Sequence, residues 1–174
     1  MIKAKKSEAL GGLIFGAYIE MNKEIYENCI NVFRKKYDTF DMYYSYLEKT
    51  MYAYTTALVM DRLTERGIKE KYILNALKVS HSLFLQAVIK EGEETTHDVI
   101  NSIRELILDH ASIDIAYYDA NPNYRFDEVR FLIIDAYMIE YPSDAREELS
   151  EILCSHFIAM LKELDSRFKN IIIK

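Results

Sequence analysis

Five glycines and two prolines are spread over 174 residues, so this chain has little from which to build turns. Glycine supplies positive φ and proline presets a turn, and a fold with many strands and tight turns needs both. Apolar residues recur at three- and four-residue spacing, so the long elements implied by this scarcity are helices.

The spacing predicts a first helix over about Ser7–Lys36, with Ile14, Tyr18, Met21, Ile25 and Val32 on one stripe. Gly12 and Gly16 within it form a small-xxx-small pattern that suits close helix packing. A second helix starts near Asp38 or Thr39, both competent N-caps, and carries a heptad-like seam of Tyr44, Leu47, Met51, Tyr54 and Leu58. Gly67 followed by Ile68 predicts a Schellman stop. A third helix covers about Lys69–Glu91, with the row Leu74, Leu77, His81, Phe84 and Val88. Thr95 and Asp98 are spaced as a capping box for a fourth, which carries Ile100, Ile103, Leu106, Ile107 and Ile113 and continues to about Tyr118.

Asn121-Pro122-Asn123 breaks the chain, and Pro142-Ser143 breaks it again. Between them lies a fifth helix, about Phe126–Tyr141, whose run Phe131-Leu132-Ile133-Ile134 has no polar side and should be surrounded. The sixth carries Leu149, Leu153, Phe157, Leu161, Leu164 and Phe168. The expected fold is all-α, with residues 1–174 forming one domain, a globular bundle of about six helices with the fifth at its centre.

A net charge of −6 disfavours broad binding to nucleic-acid backbones. Only Cys29 and Cys154 are present, which gives no disulfide framework and suits a cytoplasmic protein. The apolar stretch from Ala9 to Ile19 is too short to span a bilayer.

Chemistry-bearing residues are sparse. Asp119, Asn121, Asn123 and Asp127 match part of a calcium loop, but Tyr124 and Arg130 replace the turn glycine and the closing carboxylate. Glu94 and His97 form one E-x-x-H with no second copy to complete a di-iron site. No metal site is therefore expected. Nor does any set of nucleophile, base and orienting group appear, or a glycine-rich phosphate loop.

Two pairings are sharper. His81 and His110 lie on consecutive predicted helices, and Leu106-Ile107-Leu108-Asp109-His110-Ala111 resembles the proximal segment of globins. That resemblance implies a haem-binding or sensor domain with His81 distal and His110 proximal. Its early part departs from the pattern, because the first two helices are too long and the short helix before the distal one is missing. Arg104 and His110, with five residues between them, resemble the R-x4–6-H signature of HEPN ribonucleases, helical dimers in which such a pair acts on RNA. Here Glu105 follows the arginine, where that family usually has Asn, Asp or His.

The remaining bias is fourteen tyrosines and no tryptophan. Tyrosine offers a large ring with a polar tip and suits interfaces. On the second helix the tyrosines point in several directions, more than a single buried face can take. The expectation is a non-enzymatic interaction or regulatory domain. It would contact a protein partner or a second copy through Tyr43, Tyr46, Tyr52, Tyr117, Tyr118 and Tyr124.

Overall fold

In the computed structural model of the chain, the residues described are 2–25, 27, 41–88, 96–121, 151, 155, 158–159 and 162–166. Among them all regular structure is helical: α1 (Ile2–Ile25), α2 (Asp41–Glu65), α3 (Glu70–Val88), α4 (Thr96–Glu105), a π-helical turn (Leu106–Ala111) and α5 (Ser112–Ala120). Helix α1 begins five residues before the expected Ser7. The predicted fifth helix, Ile133 included, lies outside the described residues, as do Cys29 and Cys154. Of the predicted sixth helix only short helical pieces are described, among them the buried Leu164.

Helix α2 is the central element among the described residues. Every residue from Lys49 to Val59 is buried, so this stretch has no outward side. Its sequence explains how that is possible. Ala53, Ala57, Thr50, Thr55 and Thr56 are small and let neighbouring helices approach, while Met51, Tyr52, Tyr54 and Leu58 fill the gaps between them. Thr55 donates its hydroxyl hydrogen to the Met51 carbonyl one turn back, so this polar atom is satisfied within the helix. Of the α2 tyrosines, Tyr52 and Tyr54 are both enclosed by the chain itself.

The end of α2 follows its sequence signal. Gly67 has φ +72°, the Gly67 N–H donates to the Thr64 carbonyl at 2.9 Å and the Ile68 N–H donates to the Leu63 carbonyl at 3.1 Å. This is the Schellman pattern, with Ile68 packed on the core beyond it. Near the same end, Arg62 gathers three segments. Its guanidinium donates to Asp165 at 2.6 Å and grips both carboxylate oxygens of Asp119 at 2.7 and 2.8 Å. The side chain is only 12% exposed, and the bidentate contact with Asp119 holds its pKa above the ordinary value.

Helix α1 packs chiefly on α3. The glycine that allows this is Gly11, where a β-carbon would meet the Ala76 carbonyl oxygen at 2.5 Å and the Val79 β-carbon at 2.7 Å. Gly12 and Gly16, the expected packing pair, have nothing within 4 Å of where a β-carbon would sit. Opposite effects are expected within one helix. Gly11→Ala forces two helices apart and should cost about 1–3 kcal/mol. Gly16→Ala only stiffens the unfolded chain and should stabilise by about 0.5–1 kcal/mol. Urea melts of the two variants check both signs.

The predicted fourth helix is one rod interrupted by the π turn. Within that turn the Ser112 N–H donates to the Ile107 carbonyl five residues back, while Glu105 and Ser112 on either side keep α-helical dihedrals. The extra residue keeps two halves of the rod facing one way. Val99, Ile103 and Leu106 are buried before it, and Ala111, Asp114, Ile115 and Tyr118 are buried after it. The rod ends at Asn121, whose extended backbone is what a following proline imposes.

Candidate functional site

Tyr52 is fully buried on α2, and its hydroxyl lies 2.7 Å from both Ser80 Oγ and His81 Nδ1 on α3. A phenol has one proton. With His81 neutral, Tyr52 donates to Nδ1 and accepts from the Ser80 hydroxyl, which places the imidazole proton on Nε2. Burial pushes the Tyr52 phenol up to about 12, so it stays protonated and available as a donor. Burial also lowers the pKa of half-buried His81.

The consequence for stability has a definite sign. A histidine whose folded pKa lies below its unfolded value of about 6.5 binds protons more readily when unfolded. Its stabilising contribution is complete above pH about 6.5 and is lost as the pH falls below that value. Urea midpoints should therefore drop between pH 7 and 5. The slope should flatten in His81→Asn, where an amide oxygen replaces Nδ1 as the acceptor for Tyr52. An unchanged slope in that variant assigns the acid sensitivity to other groups.

His81 and His110 stand on elements that are not principal neighbours: α3 packs chiefly on α1, and the π turn that carries His110 packs chiefly on α2. The His81 ring stands edge-on to Tyr52, with centroids 5.5 Å apart, and its Nδ1 is taken up by the phenol.

Arg104 is exposed near the end of α4, and His110 is half-buried in the π turn. The two residues therefore differ in exposure along the rod, Arg104 facing solvent and His110 partly covered. Asp119, first in the calcium-like spacing, is held by Arg62. His97 is exposed at the start of α4, with its Nε2 3.0 Å from the Asn101 amide nitrogen. Among the described residues, no group of three His, Cys, Asp or Glu side chains is placed to hold a metal ion, and no helix is long and apolar enough to cross a membrane.

The tyrosines divide. Tyr52 lies in the core and Tyr118 is buried, so neither offers contact surface, which corrects that part of the sequence expectation. The physical reasons differ: α2 is enclosed around Tyr52, and the π turn rotates Tyr118 inward. Burial raises the Tyr118 pKa, with Asp165 and Asp119 adding to the effect. Tyr117 is exposed by 55%. Tyr43 and Tyr46 belong to the first turns of α2, with side chains outside the described set, and Tyr124 lies outside it altogether.

Tyr117 has company that the sequence reading missed. Leu108 is 57% exposed and Ile113 is 44% exposed, and Ile100 completes the outward apolar residues of the same rod. Ile113 was expected on the inward stripe. The same rod also holds a fully buried carboxylate, Asp114, which accepts a hydrogen bond from the Tyr54 hydroxyl across the α2 interface.

No protein-family model matches the chain, and neither a curated protein nor a solved structure shows significant similarity to it.

Proposed function

We propose that this chain is a non-enzymatic interaction domain of the cytoplasm that self-associates through the outward side of the rod formed by α4, the π turn and α5. The observation that carries this reading is the set Ile100, Leu108, Ile113 and Tyr117, large apolar side chains exposed along a single rod whose opposite side faces the core. Exposed apolar area of this kind marks contact surfaces, and tyrosine is enriched in them. Arg104 on the same rod supplies a charged group suited to the rim of such a contact. The fuller architecture that goes with this reading is a bundle of about six helices with residues 126–141 buried within it.

Light scattering across a concentration series tests it. The chain should sediment and scatter as an oligomer at tens of micromolar, and Leu108→Ser with Tyr117→Ser should return it to a monomer without lowering its melting temperature. A wild-type monomer at high micromolar concentration defeats the reading.

A further inference from the structure

The π turn contains one residue more than a straight α-helix would need, and one residue is ~100° of helical rotation. Loss of that excess would turn Ser112–Ala120 by this angle against Thr96–Glu105. Continuing the three- and four-residue spacing from Ile103 and Leu106 in a straight α-helix brings His110, Ile113 and Tyr117 to the inward side. The same rotation turns Ile115 and Tyr118, now buried, outward.

The exchange is like for like. The present register buries Ile115 and Tyr118 and exposes Ile113 and Tyr117. The straight register buries one isoleucine and one tyrosine as well. Apolar burial therefore discriminates only weakly between the two, because the segment Ile113-Asp114-Ile115-Ala116-Tyr117-Tyr118 offers the same side chains on two faces. What favours the present register is Asp114, fully buried and bonded to Tyr54; rotation carries it across to the other edge of the inward face.

We propose that the Leu106–Ala111 π turn is a register switch, with the rod able to adopt either the present π-containing register or a straight α register that hides Ile113 and Tyr117. A ligand that contacts the outward Ile113–Tyr117 side binds one register alone and shifts the balance toward it. The inference concerns the rod itself and holds with or without a partner for its outer side.

The test uses the full chain with labelled isoleucine methyl groups and a soluble gadolinium chelate that broadens solvent-exposed signals. In the wild type, Ile113 should be broadened and Ile115 protected. In Ile115→Ala the rod should change register, so that Ile113 becomes protected. The fall in Tm should then be smaller than in Ile103→Ala, a position that faces inward in both registers. Deleting Ser112 removes the spare residue, and that chain should fold with Ile115 protected and Ile113 broadened. The switch is overturned if Ile113 stays as broadened in Ile115→Ala as in the wild type, or if Ile115→Ala loses as much Tm as Ile103→Ala. It is also overturned if the Ser112 deletion fails to fold, since the turn would then not be a removable excess.

Discussion

Phe84→Ala should cost about 3–5 kcal/mol of folding stability, because the side chain is fully buried and its neighbours are rings that cannot collapse into the space. Phe84 on α3 stacks on Tyr52 of α2, with centroids 4.1 Å apart and planes 14° from parallel. Tyr18 of α1 stands edge-on to both, at 5.4 Å from Phe84 and 5.3 Å from Tyr52. The three rings join three helices at one point, and each such pairing adds about 0.5–1.5 kcal/mol beyond its buried area. Tyr52 is also tied to Ser80 and His81, so it cannot tilt into a cavity without breaking those bonds. Denaturant melts measure the loss, with Lys78→Ala as the control. Lys78 is exposed on the same helix, and its truncation should leave the midpoint within about 0.5 kcal/mol. Equal shifts in the two variants would contradict a core built around these rings.

Tyr54→Phe is expected to cost about 2–3 kcal/mol, since it removes one hydrogen-bond donor from a carboxylate with no access to water. The ring and its packing are unchanged, so the loss reports the hydroxyl alone. Asp114→Leu in the same background should recover part of that stability, because it removes the buried carboxylate that Tyr54→Phe leaves short of a donor. The informative quantity is the coupling between the two substitutions from a double-mutant cycle. A coupling near zero would mean that the bond between Tyr54 and Asp114 does not contribute to stability.

The helical class and the stop at Gly67 were legible because each depends on local chemistry. Periodicity reports a helix before its neighbours are known, and a glycine at C′ followed by Ile68 satisfies carbonyls belonging to its own helix. The place of α2 was harder to read. Its enclosed stretch contains Lys49, the threonines Thr50, Thr55 and Thr56, the tyrosines Tyr52 and Tyr54, and further small residues, and hydrophobicity patterns score such residues as half-polar. Their fitness for an enclosed helix comes from small volume and from hydroxyls that bond within the fold, neither of which a moment along the helix records. The π turn was hidden for a different reason. Ile103, Ile107 and His110 suit a straight helix, and the doubled isoleucine and tyrosine further on fit either rotation, so spacing alone does not select one. That ambiguity was itself a signal. A segment apolar in two registers leaves its inward face to be decided by a contact elsewhere, here Tyr54 with Asp114.

Little of the candidate site could be read from spacing, because each pairing depends on how separate elements pack. The histidine spacing that resembles a globin falls on α3, which packs chiefly on α1, and on the π turn, which packs chiefly on α2, while Arg104 is exposed and His110 half-buried on one rod. Of the candidate tyrosines whose side chains are described, Tyr117 alone is exposed.

Arg62 has a consequence for the order in which the chain assembles. Its two principal partners lie 57 and 103 residues away in sequence, so neither bond forms until distant segments have been brought together. Closing such loops is slow relative to forming helices, so these bonds are expected to form late in folding. Interactions absent from the folding transition state slow unfolding and leave the folding rate unchanged, so the ion cluster is expected to act as a latch on the unfolding reaction.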